Sequence, residues 1–239
     1  MPGLVALPRA GRPVGTMPGS AIGVRDGAWH DSRCAVRRRL QSSTSGGKRG
    51  TSVDASHVAD DLEAVLLDED QIRARIAELA AEIGRDYTGR DLVLIGVLGG
   101  AATFTVDLGR ALDTPIEVGW MAVRSYTTGV RSSGSVRLLK DLDLDIAGRD
   151  VLIVDAVIDT GLTLSWLIAN LRQRGPASIA VCALLRKPEA KQFEGTTTYV
   201  GFDVPGGLVV GYGLDYRGRY RNLRCAAVLA PHVYRTIKA

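Results

Sequence analysis

The chain has 239 residues, of which 46% are hydrophobic and 23% charged, the balance of a globular protein with one domain or two small ones. No apolar run is long enough to cross a bilayer, so we expect no membrane partner. Cys34, Cys182 and Cys225 show neither metal-ligand spacing nor a disulfide framework, which favours a reducing, cytoplasmic setting.

The net charge of +4 is unevenly distributed along the chain. Residues 1–53 carry nine Arg or Lys against Asp26 and Asp31, a balance of +7, and the remainder is slightly acidic at −3. The segment 1–53 is also rich in Gly, Pro and Ser without a sustained apolar period, so we expect it to be disordered. Three other interpretations stay open: a transit peptide, a nucleic-acid arm around Arg37-Arg38-Arg39, and an artefact of an upstream start codon. A nucleic-acid partner is the least favoured of them.

The folded domain is predicted to span 58–239 and to begin with a helix. Asp68-Glu69-Asp70 places acids at the helix amino end, where the helix dipole favours them. Strands are predicted over 92–98 and 116–123, and the turn 99–102 leads into a second helix between them. The apolar face of that second helix consists of Phe104, Leu108, Ala111 and Leu112. Strands that alternate with helices indicate a parallel sheet.

A polar loop at 124–135 contains Tyr126 as its one large apolar residue. Its length indicates a functional lid, and a plain β-hairpin loop is an equal alternative. A strand resumes at 136–139, and the acidic run 141–145 is interpreted as a solvated face. The later strands are predicted at 179–185, 199–202, 208–212 and 226–229.

The main functional signal lies in residues 151–163. An apolar run predicts a buried parallel strand that ends at Asp155, and apolar residues at 164, 167, 168 and 171 predict a helix after it. Asp155, Asp159 and a hydroxyl-rich turn therefore fall between the carboxyl end of a strand and the amino end of a helix. Open α/β sheets bind ligands at this place, and free backbone N–H groups there favour a phosphate.

Further polar or glycine-rich positions also follow predicted strands. The Gly99-Gly100 turn follows the first strand, and exposed N–H groups of such turns bind anions. Lys187, Asp215 and Arg221 follow later strands. This layout indicates a substrate with several phosphates and a metal.

Residues 151–163 resemble the diphosphoribosyl-binding motif of the type I phosphoribosyltransferases. The stretches 139–143, 184–188, 200–202 and 209–216 resemble the hypoxanthine (hypoxanthine-guanine) branch of bacterial type, in collinear order from about Val65 to Tyr234. The resemblance implies an α/β fold: a parallel-core sheet flanked by helices, with a small hood region. It also implies purine salvage by a homodimer or homotetramer, in which Mg²⁺ assists transfer of the 5-phosphoribosyl group from phosphoribosyl diphosphate to a 6-oxopurine.

The resemblance implies a role for each matched residue. Asp159 matches the general base for the purine N7 proton, and Lys187 matches the residue that recognises the 6-oxo group. Asp155 matches the first acid at the ribose hydroxyls and Asp215 the acid near Mg²⁺, and both are expected metal ligands. The other matched positions are Thr160, Gly161, Leu162 and Thr163 at the 5′-phosphate, Gly99 and Gly100 in the first turn, Ser125 and Tyr126 in the lid, Leu208 and Val209 at the base, and Arg221 at the diphosphate.

Four ligand-facing positions depart from the family pattern. Ala156 stands in place of a second acid, Gly99 in place of Lys or Arg, Leu208 in place of an aromatic residue, and Thr127 in place of a lid glycine. A lost charge-assisted hydrogen bond costs about 1.5–3 kcal/mol. The alternative function is therefore a weakened or inactive nucleotide-binding regulatory protein. If the protein is an enzyme, we expect Ala156→Asp to raise its activity, and the choice among hypoxanthine, guanine and xanthine stays open.

Overall fold

The computed structural model describes residues 55–125, 136–188, 190 and 196–235. The amino-terminal segment 1–53 and the lid residues Tyr126 and Thr127 lie outside the described residues, and so does the side chain of Ser125. The predictions made for them stay predictions.

Helices and strands alternate along most of the chain after a 3₁₀ helix at Ala55–Asp61. The strands and helices are β1 (Leu62–Leu67), α1 (Glu69–Asp86), β2 (Leu92–Leu98), α2 (Ala102–Ala111), β3 (Glu117–Ser125), β4 (Val136–Lys140), β5 (Asp150–Ile158), α3 (Leu162–Arg172), β6 (Ser178–Arg186), β7 (Thr197–Asp203), β8 (Val209–Val210), β9 (Ala226–Leu229) and α4 (Pro231–Arg235).

The larger sheet has six strands in the order β4-β3-β2-β5-β6-β7. Its strands are parallel except for β4, which pairs antiparallel with β3. Alternate residues of the central strands point to opposite faces: Leu152 packs in the core cluster that contains α1 and α2, and Val151 in the cluster that contains α3. The predicted parallel-core sheet with flanking helices is therefore confirmed. Because β3 and β4 are paired neighbours, the segment 126–135 joins two antiparallel strands.

The first predicted helix is confirmed, together with its acidic start. Asp68 is the N-cap: its Oδ1 accepts a hydrogen bond from the Gln71 N–H at 2.8 Å, and the Asp68 N–H donates to Gln71 Oε1 at 3.0 Å. This reciprocal pair satisfies two backbone groups that the helix itself leaves open. The buried face consists of Ile72, Ile76, Leu79, Ala80 and Ile83, as the spacing predicts.

The hood is a three-stranded antiparallel sheet in the order β1-β9-β8. The prediction that the domain begins with a helix was wrong, because β1 precedes that helix and pairs with β9 at the far end of the chain. A pairing over such a sequence distance leaves no local pattern, and the burial of Leu62–Leu67 does not alternate cleanly. No helix among the described residues has the length and apolarity needed to cross a membrane.

Two strand boundaries and one buried position also differ from prediction. The strand predicted at 208–212 is only Val209–Val210, because Gly211 (φ 93°) and Tyr212 (φ 49°) turn the chain. β5 continues past Asp155 to Ile158, so Asp155 lies inside a strand rather than at its end. Ala111, expected on the apolar face of α2, is exposed at the last residue of the helix.

Candidate active site

The candidate site lies at one edge of the larger sheet. Gly99 follows β2, Asp159 follows β5 and Lys187 follows β6. These three strands are parallel neighbours, so their carboxyl ends meet at the same edge. Ligands bind at this edge in open α/β sheets, which is the location that the sequence predicts.

Asp159 and Lys187 form an ion pair at the ends of β5 and β6. Lys187 Nζ donates to Asp159 Oδ2 at 3.0 Å, and the Lys187 N–H donates to the Ile158 carbonyl at 2.9 Å. The lysine side chain is 14% exposed, whereas that of Asp159 is 59% exposed. The structure thus brings together the two side chains expected to handle the purine N7 proton and the 6-oxo group, with the carboxylate accessible from solvent.

The turn 160–163 leads from β5 into α3. Gly161 is the N-cap residue at φ 79°, a left-handed conformation that glycine adopts at low cost, and its cap has no side-chain hydrogen bond. The first N–H groups of any helix have no partner inside that helix. Leu162 N–H reaches Thr160 Oγ1 only at 3.5 Å. The geometry therefore leaves the amino end of α3 suited to a phosphate, with Thr160 and Thr163 beside it.

Asp155 and Ala156 are adjacent residues of β5 with different environments. Burial raises the pKa of Asp155 to about 6, although the backbone N–H groups of Ala156 and Val157 donate to its carboxylate and act in the opposite direction. The Ala156 N–H lies 2.7 Å from Asp155 Oδ1. Ala156 is 1% exposed and belongs to the apolar core cluster on the α3 side. Its methyl group lies 3.7 Å from the place where a Gly100 Cβ would be, so packing fills the position of the family's second acid.

The loop 211–221 closes over the Gly99-Gly100 turn. Gly213 has φ 96°, and a Cβ on it would overlap the Gly100 carbonyl oxygen, so only glycine permits this approach. Leu214 lies across Gly100, where an added Cβ would be 3.2 Å from Leu214 Cδ2. Sequence reasoning did not single out Gly213 and Leu214, although both fall inside the family-like stretch 209–216.

Asp215 and Arg221 are joined within this loop. Arg221 Nη2 lies 2.7 Å from Asp215 Oδ1, and the Gly218 N–H donates to Asp215 Oδ2 at 2.7 Å. Arg221 Nη1 also donates to the Gly213 carbonyl at 2.6 Å. The guanidinium lies against Gly99, since a Cβ built there would be 3.5 Å from Nη2. The sequence predicts Gly99, Asp215 and Arg221 at the site but not the contact between Arg221 and Gly99.

Leu208 and Val209 lie in the hood rather than at the edge of the larger sheet. Leu208 is partly buried against the hood cluster, and its carbonyl accepts a hydrogen bond from Leu229 N–H at 2.8 Å. Val209 is buried in the main core. The aliphatic residue that replaces the expected aromatic therefore packs within the hood.

The two expected metal ligands stand on different elements, Asp155 in β5 and Asp215 in the loop 211–221. The described residues contain no group of three or more His, Cys, Asp or Glu side chains placed to hold a metal ion. Mg²⁺ is often held by one or two carboxylates together with waters and substrate phosphates, so this donor set fits an ion carried by a phosphorylated substrate.

Comparison with known proteins places this geometry in a family. Residues 65–217 match the phosphoribosyl transferase domain. The chain is 56% identical over 180 residues to a hypoxanthine-guanine phosphoribosyltransferase of Mycobacterium tuberculosis (strain ATCC 25618 / H37Rv). The matched stretch covers 73% of this chain and 89% of that protein. It is 45% identical over 174 residues to the protein of the same name from Bacillus subtilis (strain 168), with coverages of 73% and 97%.

Solved structures agree with this match. The crystal structure of a hypoxanthine phosphoribosyltransferase from Staphylococcus aureus in a tetragonal space group gives a TM-score of 0.70 at 40% identity, over 74% of this chain and 97% of that one. A hypoxanthine phosphoribosyl transferase of Trypanosoma cruzi gives 0.68 at 41% identity, over 74% and 95%. Domain, relatives and fold agree with the geometry of the strand ends, and the chain therefore belongs to the phosphoribosyltransferase family.

Proposed function

We propose that the protein is a purine-salvage enzyme that transfers the 5-phosphoribosyl group from phosphoribosyl diphosphate to hypoxanthine or guanine, giving IMP or GMP and diphosphate. The observation that carries this proposal is the Asp159–Lys187 pair, with 3.0 Å between Nζ and Oδ2. A 6-oxopurine presents its oxo oxygen and N7 side by side on one edge. An ammonium donates to the oxygen and a carboxylate accepts from N7–H, so the pair matches that edge.

The same pair disfavours adenine as the base. Its 6-amino group is a donor, and Lys187 offers only donors. The regulatory alternative suggested by Ala156 and Gly99 is not favoured, because relatives at 45% and 56% identity carry the name of the enzyme.

In this proposal the phosphoribosyl donor lies across the strand ends from α3 to the Gly99-Gly100 turn. The amino end of α3 binds the 5′-phosphate through its backbone N–H groups and the hydroxyls of Thr160 and Thr163. Asp155 accepts hydrogen bonds from the ribose hydroxyls. Arg221 binds the diphosphate through its guanidinium group, which is accessible because the side chain is 43% exposed.

The proton moves at Asp159. As purine N9 bonds to C1′ and the bond from C1′ to the diphosphate oxygen breaks, positive charge develops on the imidazole ring and acidifies N7–H. The carboxylate of Asp159 accepts that proton, and Lys187 stabilises the 6-oxo oxygen. Asp155 and Asp215 would hold a Mg²⁺ ion, which would neutralise negative charge on the diphosphate leaving group.

We further propose a homodimer or homotetramer in a reducing cytoplasm. The solved Trypanosoma cruzi relative comes from work on how its C-terminal region affects oligomeric state and activity. Cys182 in β6 is a buried free thiol, as a reducing compartment favours.

The test is product formation by the purified full chain with phosphoribosyl diphosphate and Mg²⁺, using hypoxanthine, guanine, xanthine and adenine in parallel. We expect nucleoside monophosphate from hypoxanthine or guanine and none from adenine. Asp159→Asn is the matched control, because it keeps the size of the side chain and removes the proton acceptor. No product above this variant with any base would contradict the proposed function.

A further inference from the structure

The loop 211–221 is joined to α2 by a hydrogen bond between Tyr212 and Asp107. The Tyr212 hydroxyl donates to Asp107 Oδ2 at 2.5 Å, and Tyr212 is buried in the core cluster that contains α1 and α2. Burial and the Asp107 carboxylate raise the pKa of the Tyr212 hydroxyl, so it stays protonated and donates. Helix α2 begins at Ala102, just after the Gly99-Gly100 turn, so this bond joins the loop to the helix that continues the turn.

The backbone of Tyr212 has a conformation that its surroundings must maintain. Its φ of 49° lies in the left-handed region, which is unfavourable for a residue with a Cβ atom. Such a residue keeps this conformation only where its contacts hold it, and these conformations concentrate at functional sites. The Tyr212 N–H donates to the Leu223 carbonyl at 2.9 Å, and the phenol supplies a second attachment through Asp107. Backbone and side chain therefore fix this residue together.

The residue after Tyr212 carries the contacts that reach the diphosphate side. The Gly213 carbonyl accepts a hydrogen bond from Arg221 Nη1 at 2.6 Å, and the Gly213 N–H donates to the Arg221 carbonyl at 3.0 Å. Gly213 also lies against the Gly100 carbonyl. A shift of Tyr212 away from α2 would thus move the carbonyl that holds the Arg221 guanidinium. Two hydrogen bonds that meet in adjacent residues connect α2 to this guanidinium.

We propose that Asp107 and Tyr212 are positioning residues for the diphosphate side of the site. Their hydrogen bond holds the loop 211–221 on α2, and so keeps the Arg221 guanidinium at the place where the diphosphate of the phosphoribosyl donor binds. Both residues act through Arg221 and not on the substrate itself. This inference rests on the proposed function, because it concerns the same donor at the same site.

Tyr199 provides a matched control, because it makes the same kind of bond away from the site. Its hydroxyl donates to Asp86 Oδ2 at 2.7 Å, and the residue is buried in the same core cluster. Tyr199 lies in the amino-terminal half of β7, whereas the site lies at the carboxyl ends of the strands. Tyr199→Phe and Tyr212→Phe each remove one hydroxyl that donates to a carboxylate, but only Tyr212 is connected to Arg221.

The experiment measures affinity for inorganic diphosphate, and separately for phosphoribosyl diphosphate without base, by calorimetry on the full chain with Mg²⁺. We expect Tyr212→Phe to weaken both affinities by about five- to tenfold, the range of a single hydrogen bond, and Tyr199→Phe to stay within about twofold. Asp107→Asn keeps an acceptor for the hydroxyl and should stay within about threefold. Asp107→Ala should match Tyr212→Phe, and the double variant should be within about twofold of either, because both changes remove the same bond.

Steady-state kinetics separate positioning from a general loss of structure. In Tyr212→Phe, the KM for phosphoribosyl diphosphate should rise about as much as its dissociation constant, whereas the KM for hypoxanthine should stay within about twofold, because Asp159 and Lys187 lie on the base side. A bond with a purely structural role would lower the melting temperatures of Tyr212→Phe and Tyr199→Phe alike and leave both affinities unchanged in the folded molecules.

Three results would overturn the proposal. They are diphosphate affinities of Tyr212→Phe and Tyr199→Phe that agree within about twofold, losses from Asp107→Ala and Tyr212→Phe that add in full in the double variant, and an equal rise of both KM values. If Tyr212→Phe does not fold, Asp107→Ala takes its place beside Tyr199→Phe. Wild type that shows this pattern of affinities among its variants but forms no nucleoside monophosphate would contradict the proposed function alone. Wild type that binds neither ligand would contradict both.

Discussion

The two sides of the candidate site differ in how far they keep the charges of the family pattern. On the base side, Asp159 and Lys187 are both present and lie 3.0 Å apart. On the diphosphate side, the turn 99–100 has no cation and Ala156 replaces an acid. The structure shows close packing there rather than open space, since Leu214 covers Gly100 and Ala156 is buried.

This difference predicts two kinds of response to substitution. On the base side, the Asp159 side chain is 59% exposed, so its loss should remove activity and leave stability nearly unchanged. Ala156 is part of the core, so changing it should alter stability as well as substrate binding.

The largest effect is expected for Asp159→Asn. The amide keeps a hydrogen-bond acceptor for N7–H but does not take up the proton, so kcat for IMP formation should fall by about 10²- to 10⁴-fold. The melting temperature should change little, because Asp159 is 59% exposed and exposed ion pairs contribute little to stability. Single-turnover kinetics and thermal unfolding on one preparation measure both quantities. Asp70→Asn, which neutralises an acid that is 92% exposed on α1, is the control and should leave kcat unchanged. A fall below tenfold would argue that the base is another group.

Ala156→Asp should lower the free energy of unfolding by about 3 kcal/mol. The carboxylate would enter an apolar cluster beside Gly100 and Leu214 and next to Asp155, whose own pKa burial already raises. The sequence predicts higher activity for this variant, and the two effects are separable: activity is scored per folded molecule, and stability by urea unfolding. Ala156→Asn has nearly the same shape without the charge and should cost less. Equal stabilities of the Asp and Asn variants would show that the position is not the apolar site described here.

Lys187→Gln should raise the KM for hypoxanthine about tenfold, since a neutral hydrogen bond replaces a charge-assisted one. The KM for phosphoribosyl diphosphate should stay within about twofold, because Lys187 belongs to the base side. Lys140→Gln, which removes a half-exposed lysine of β4, serves as the charge-matched control. If both KM values rose together, Lys187 would act on the whole site rather than on the 6-oxo group.

The sequence predicts the fold and the base side well because the signals there are local. The apolar periods of α1 and α3 and the strands β2, β5 and β6 depend on neighbouring residues, and the strand ends then bring Asp159 and Lys187 to one edge without further information. Strand β1 was missed because its partner, β9, lies at the other end of the chain.

The diphosphate side was predicted only as a set of separate residues. The sequence shows that Gly99 lacks a cation and that Arg221 is present, but their contact depends on the backbone path of the loop 211–221. That path requires the positive φ of Gly213 and its approach to Gly100. Two residues separated by such a loop leave no periodic pattern, so their contact is visible only in three dimensions.

The smallest expected effect concerns the pH dependence of stability at Asp155. Its pKa in the folded protein is about 6, above the usual value of about 3.9, so the folded state takes up a proton first as the pH falls. This component of the unfolding free energy therefore increases from pH 7 to pH 4 and is constant below that. Its limit is about 3 kcal/mol, and we expect about 1 kcal/mol because the side chain keeps partial access to solvent.

Urea unfolding of wild type and Asp155→Asn between pH 4 and pH 7.5, in Mg²⁺-free buffer, measures this component as a difference between the two proteins. The variant cannot ionise, so it should be more stable than wild type at pH 7, and this advantage should disappear towards pH 4. Other carboxylates titrate equally in both proteins and cancel. If the difference between the two unfolding free energies were constant over this range, Asp155 would titrate as an ordinary exposed acid. In that case the alanine at position 156 would have left the Asp155 carboxylate open to water instead of enclosing it by packing.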